Sequence, residues 1–371
     1  MFPKVSGSAG TPGAARPATA TRLGVRVKVL YIGGTGTISS ACVAESVRRG
    51  LDVHVLNRGQ TARRRPLPEG VTSLTADVRD HDALRRMLAG SAYDCVVDFL
   101  GFTAGDAAAM VDLLDGHTAQ YVYISSASIY HKPVRRAPIT ESTTRRNPYL
   151  AYARDKIAAE DVLRRAYDER DFPVTIVRPS HTYDDAHPPL PGDWTAWDRV
   201  ARGDEIVVAG DGTNLWTLTH ADDFAVGLVG LIGAWQAIGE DFHITSDEAL
   251  TWNEIYEVIG RTVATPARLL HLPAEFLPRI APEWFWSDLI VGDLQHTAVF
   301  DTTKIRRFVP SFRPVVTWPE GARRLHAWRS AHAEETRPDA ATDAVLARLA
   351  EGHRLASAAV ARLAPGQGDG S

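Results

Sequence analysis

The chain has 371 residues, 44% hydrophobic and 23% charged, enough apolar material to bury a large core in one big domain or two intimately joined ones. Its formal net charge of −4 offers no global attraction to nucleic acid or an anionic membrane, so neither is expected as a partner and a small organic substrate fits better. With only two cysteines, Cys42 and Cys95, each in an apolar run, the sequence has neither a disulfide framework nor a metal-ligand cluster, and a reducing cytoplasm is the expected location.

Residues 1–24 are rich in Ala, Gly, Pro, Ser and Thr, lack acidic residues and have no apolar core, which reads as a disordered tail rather than a secretory signal. No apolar run approaches the ~18 residues of a membrane span. From Val25 onward, buried-strand patterns at Val27–Ile32, Val53–Leu56, Cys95–Leu100, Tyr121–Ile124 and Val174–Val177 alternate with helical spacing at Ala41–Arg49, Ala83–Leu88 and Ala107–Leu114. That alternation predicts an α/β fold, a Rossmann-type doubly wound parallel sheet, because parallel strands need crossover helices. A nucleotide-binding domain is expected over 25–180. Beyond it the Pro- and Trp-rich pattern suggests a smaller, mixed substrate-binding lobe over 181–330, interleaved with the first domain. The segment 331–364 reads as helical, with Leu346, Leu349 and Val360 in one apolar stripe, before a flexible 365–371.

The first strand runs into Gly33-Gly34-Thr35-Gly36-Thr37-Ile38-Ser39 and then a helix. Glycines at a strand-to-helix turn let the backbone approach a pyrophosphate, whose charge is favoured by the free N–H groups of the helix N-terminus. The Gly33-x-x-Gly36 spacing, with Ser39 at the last glycine position, resembles the fingerprint of the extended short-chain dehydrogenase/reductases, specifically the NAD-dependent epimerase/dehydratase family. The resemblance implies NAD or NADP held by Gly33, Gly36, Thr37, Ile38, Asn57, Arg58, Asp77, Val78, Leu100, Lys156 and Pro179. Members preferring NAD commonly carry a carboxylate where Asn57 stands. Asn57 does not repel a 2′-phosphate and Arg58 can pair with one, so the local chemistry admits NADP.

The likeness extends to Ser125-Ser126-Ala127-Ser128-Ile129-Tyr130 after a strand and to Tyr152-x-x-x-Lys156 opening a helix, which puts phenol and ammonium on one helix face. A phenol of pKa near 10 needs neighbouring positive charge to work at neutral pH. The family pattern implies Ser126, Tyr152 and Lys156 as catalytic residues and Ser126, Ser128, His181, Tyr183 and Trp216 as substrate contacts. Sugar dehydratases and decarboxylases of the family usually carry an acid just after the catalytic Ser or Thr; Ala127 and Ser128 stand there. The expected reaction is therefore epimerisation of a secondary alcohol on a sugar-like substrate through a transient ketone. Net reduction or oxidation with NADP on the same residues is the alternative, and a nucleotide-sensing or RNA-associated protein on this scaffold a third reading, disfavoured by the retained Tyr152 and Lys156.

Trp216 and Ile290 occupy positions where nucleotide-sugar enzymes of the family hold diphosphate with arginine. A sugar, nucleoside or other polyol is thus as well suited as a nucleotide sugar. Trp194, Trp197, Trp216, Trp284 and Trp286 are candidate stacking platforms for a ring. Asp222 and Asp223 are expected to cap a helix beginning near Phe224. A homodimer is expected, built as the family builds it on two helices per subunit, here the Ala107–Leu114 and Lys156–Arg165 stretches.

Overall fold

The computed structural model describes residues 26–59, 66–88 and 91–362, so the expectations for 1–24 and 365–371 lie outside the described residues. In chain order the first elements are β1 (Lys28–Ile32), α1 (Thr37–Arg48), β2 (Asp52–Asn57), β3 (Thr72–Thr75), α2 (His81–Leu88), β4 (Cys95–Asp98), α3 (Ala104–Leu114), β5 (Tyr121–Ile124), α4 (Ala151–Arg170) and β6 (Val174–Pro179). There follow β7 (His181–Tyr183), α5 (Asp193–Arg202), β8 (Glu205–Ala209), β9 (Leu215–Trp216), β10 (Leu218–His220), α6 (Ala221–Leu231), β11 (Asp241–Ile244), β12 (Leu250–Thr251), α7 (Trp252–Thr262) and β13 (Arg268–Leu272). The chain closes with the short helices α8 (Leu277–Ile280) and α9 (Phe285–Leu289), a π-helical turn at Ile290–Leu294, and α10 (Thr303–Phe308), α11 (Trp318–Ala331) and α12 (Ala340–Ala361).

Seven strands form one parallel sheet in the order β11-β6-β5-β4-β1-β2-β3. Strands β4, β5 and β6 are buried along their whole length, as a sheet covered by helices on both faces requires. One face packs Tyr31, Val43, Val97, Phe224 and Phe242 under α1 and α6; the other packs Leu30, Met110, Tyr121 and Leu163 under α3 and α4. Chain order reverses between β1 and β4, which opens a crevice at the carboxyl ends of the strands.

A third core fills the lobe beyond β6. Trp194, Trp197 and Trp284 are buried in it and Trp286 packs against its edge, so these four are structural rather than stacking platforms. The expected strand Cys95–Leu100 stops at Asp98 because the Asp98 carboxylate turns back to accept the N–H groups of Leu100 (2.7 Å) and Gly101 (3.0 Å). Asp222 and Asp223 are not the caps of α6. The helix begins earlier, at Ala221, its cap is His220, and Asp223 instead accepts the Val315 and Val316 N–H groups. The last helix is shorter than its Ala-rich pattern, starting at Ala340 behind the Asp339 cap, and it packs on the lobe through Leu346 and Leu349. Val360 is exposed and leaves the stripe, because contact with the lobe ends before the last turns of the helix.

Candidate active site

The turn after β1 is built for close approach. Gly33 sits at φ 84°, and a Cβ there would lie 2.7 Å from Leu100 Cγ; one on Gly34 would lie 2.6 Å from Val55 Cγ1. Ser39, at the family's third glycine position, is buried and its hydroxyl accepts the Gly36 N–H at 2.8 Å, so it locks the turn as well as allowing close helix packing.

Above this turn lies a cleft of about 760 Å³. Gly33, Gly36, Ile38, Asn57, Arg58, Asp77, Val78, Leu100, Lys156 and Pro179 all line it, together with Arg79, which the sequence did not suggest. Thr37 does not; it is the first residue of α1 and its carbonyl accepts the Ser40 hydroxyl. At the β2 end, Asn57 Oδ1 is taken by the Gly59 N–H at 2.8 Å, while Asn57 Nδ2 is buried without a partner. A dinucleotide fits this cradle: glycine backbone for the pyrophosphate at the start of α1, and an unused donor with Arg58 and Arg79 along the same cleft.

A second cavity of about 190 Å³ adjoins the cleft. Ser126, Tyr152, Pro179, Ser180 and Thr182 belong to both, which places the Ser–Tyr pair at their junction. Ser126 bonds Ser128 Oγ at 2.9 Å, and Ser128 also lines the second cavity. Burial raises the Tyr152 phenol above its usual value and Asp293 adds to that, while a hydrogen bond with Ser126 pulls the other way. Lys156 lies one turn along α4, where Nζ donates to Gly101 O and Ile124 O, both at 2.7 Å. An ammonium has three donors, so one is left for a ligand. Burial brings Lys156 down to about 8, against the opposing charges of Asp98, Glu160 and Asp106.

Next on that helix, Glu160 is fully buried and receives Arg178 from β6 in a two-point pair of 2.8 and 2.7 Å. Although burial resists its ionisation, the Arg178 hydrogen bonds and charge hold Glu160 below the usual carboxyl range. The start of α4 is fixed by buried Asn147. Its Oδ1 accepts the Tyr149 and Leu150 N–H groups, and its Nδ2 donates to Ser128 O and Gly292 O, each at 2.9 Å.

His181 and Trp216 line the second cavity and bond each other, Trp216 Nε1 to His181 Nδ1 at 3.1 Å. Tyr183 reaches neither cavity. Its ring is buried against Trp318 and His220, which claim it although it stands only two residues after the cavity-lining His181 on β7. Sequence reasoning missed the ion pair Lys132–Asp293 in the cavity wall, 2.6 Å long. Asp293 arrives there on the π-helical turn, a local geometry that no residue pattern announces. No cluster suited to a metal ion and no helix long and apolar enough to cross a membrane occurs among the described residues.

Residues 29–244 match the NAD dependent epimerase/dehydratase family. The chain is 28% identical over 292 residues to a 2′-dehydrokanamycin reductase of Streptomyces kanamyceticus, covering 77% of this chain and 80% of that protein. It is 24% identical over 262 residues to a chloroplast stem-loop binding protein of Arabidopsis thaliana, covering 67% of each. Its fold resembles UDP-glucose 4-epimerase from Bifidobacterium longum, solved in complex with NAD+ and UDP, at a TM-score of 0.66 and 18% identity over 83% of this chain and 99% of that one. With more than half its length matched, the glycine turn in place and serine, tyrosine and lysine gathered at one cleft, the chain belongs to the NAD dependent epimerase/dehydratase family of enzymes.

Proposed function

We propose that this protein is an NADP-dependent reductase acting on a ketone of a sugar-like ring that carries no nucleotide diphosphate. The carrying observation is Asn57. Its acceptor is already used by the Gly59 N–H and the amide carries no charge, so the position does not repel a 2′-phosphate as a carboxylate would. Arg58 and Arg79 on the same cleft extend that preference. A cofactor chosen for 2′-phosphate suits an enzyme that exchanges it at each turnover.

A dinucleotide held along the cleft by Gly33, Gly36, Lys156 and Pro179 would supply the hydride. Ser126 holds the substrate oxygen, and Tyr152, protonated at neutral pH as an ordinary phenol is, donates the proton that the new alkoxide needs. Lys156, charged below about pH 8, stabilises the phenolate left behind and offers its remaining N–H to the cofactor ribose. The cavity beside Tyr152, about 190 Å³, suits a single sugar-sized ring, and its wall has Trp216 in place of a phosphate-binding arginine. The likeness to the 2′-dehydrokanamycin reductase, which spans most of both chains, supports the same direction.

Epimerisation with hydride returned in place is the second reading, favoured by Ala127 and Ser128 after Ser126, which leave no acid for water elimination. Denaturing the purified protein and measuring the cofactor released separates the two. Little retained NAD, together with NADPH consumption on addition of a keto-sugar, is the reductase result; stoichiometric retained NAD with no net NADPH consumption returns the protein to the epimerases.

A further inference from the structure

As a tryptophan, Trp216 suggests a ring-stacking platform, yet its indole is only 4% exposed, with Lys132 Nζ over the ring, and is not free to stack on a ligand. One face lies on Trp252 (centroids 5.8 Å, 28° between planes), and Trp252 is itself tied to Leu294 O at 2.9 Å. What Trp216 offers the cavity is its N–H, and that goes to His181 Nδ1. An indole nitrogen only donates, so His181 Nδ1 must be the acceptor and the imidazole proton must sit on Nε2. Nε2 has no protein partner among the described residues and is not sealed off, and the ring lines the cavity beside Ser126 and Tyr152.

We infer that Trp216 is a positioning residue which holds His181 as the neutral Nε2–H tautomer, and that His181 thereby presents an uncharged hydrogen-bond donor to the substrate. The assignment of that donor to a substrate oxygen rests on the reductase reading above; the tautomer does not. Burial brings His181 down to about 4, and although the Asp293 carboxylate opposes that shift, Lys132 is paired with the same carboxylate. The ring therefore stays neutral across the working range, and its perpendicular packing on Trp216 (82° between planes) fixes where Nε2 aims. The consequence is chemical selectivity. A neutral donor satisfies a carbonyl or hydroxyl oxygen, whereas a phosphate or carboxylate would find, among the described residues lining the cavity, no cation other than Lys132, already committed to Asp293.

The test uses the full chain with NADP, labelled with nitrogen-15 at histidine, and long-range proton–nitrogen correlation from pH 5 to 9. The expected result is a His181 ring protonated only at Nε2, without titration. Trp216→Phe, which keeps an aromatic ring and removes the N–H, should mix the tautomers and raise KM for a free keto-hexose about five- to tenfold, the loss of roughly one hydrogen bond, with a smaller change in kcat. His181→Gln, which retains an N–H donor, should keep more activity than His181→Leu. A proton found on Nδ1 in the wild type, or a Trp216→Phe protein with unchanged spectrum and unchanged KM, overturns the inference. The spectrum is read without substrate, so an absence of keto-sugar reduction would sink the reductase reading while the tautomer was still decided.

Discussion

Lys132 and Asp293 meet at 2.6 Å with side chains only 1% and 12% exposed, so two opposite charges are shut into the wall of the cavity onto which Tyr152 opens. Stability alone does not favour such a pair, since desolvation offsets most of the attraction, but stranding one member is costly, about 3–5 kcal/mol. Lys132→Met should therefore lower Tm strongly. Lys132→Met with Asp293→Leu should recover much of that loss and still show a raised KM, if the pair recognises substrate. Recovery of both Tm and KM in the double variant, followed by calorimetry and initial rates, would reduce the pair to a structural element.

Tyr152→Phe should keep cofactor binding and Tm while cutting turnover at least ~100-fold, because the proton donor is gone and the ring is not. Cofactor titration beside steady-state rates checks this. Turnover near wild type would remove Tyr152 from the mechanism.

Lys156 gives a pH dependence whose sign is fixed by its lowered value. The ammonium is lost as pH rises through about 8, so ketone reduction should be level below that point and fall above it. Stability moves oppositely. Between about 8 and the ordinary lysine value the unfolded chain holds a proton that the folded one has released, so the cofactor-free protein should gain stability with rising pH in that window. Lys156→Met should abolish that gain, and thermal melts of both proteins across the window would reveal a flat wild-type curve if the lysine were not so placed.

Asn57→Asp should weaken NADP far more than NAD, since the new carboxylate repels the 2′-phosphate and accepts the ribose hydroxyls of NAD. Arg58→Ala should act in the same direction but more weakly, as one exposed cation among two on that cleft. Equal losses for the two cofactors, measured by fluorescence titration, would show that Asn57 does not face the ribose.

Arg178 and Glu160 supply the fifth test. Both are fully buried, and Arg178→Met would leave the Glu160 carboxylate with weaker partners at Arg145 and Arg164. A destabilisation of about 3–5 kcal/mol is expected in denaturant unfolding. A loss under ~1 kcal/mol would mean that the surrounding arginines replace it.

Strands and the glycine turn were legible in the sequence because each rests on local pattern: continuous apolar runs for the sheet, and Gly33 to Ser39 at the end of the first of them. The Tyr152–Lys156 spacing is likewise a local fact about one helix. The misses have a common physical cause. Tyr183 follows His181 by two residues and looks equivalent in sequence, but the tertiary packing of Trp318 claims its ring. Lys132 and Asp293 belong to segments far apart in sequence, joined only by the folded lobe. The tryptophans that looked like ligand platforms are needed for bulk, since the lobe has only short two-stranded pairs and fills its interior with large rings.

Asn147 has an implication for how this scaffold can change its substrate. One amide side chain ties the Ser128 backbone, the Gly292 backbone and the first turn of the Tyr152 helix into a single hydrogen-bonded knot. The shape of the cavity and the aim of the phenol are thus mechanically coupled, so a shift of either wall would drag Tyr152 out of line. New specificities are accessible mainly by exchanging side chains on stationary walls, at Trp216, Leu289 or Phe300, or at Lys132 together with Asp293, and an insertion in either tied segment would cost catalysis before it widened the pocket.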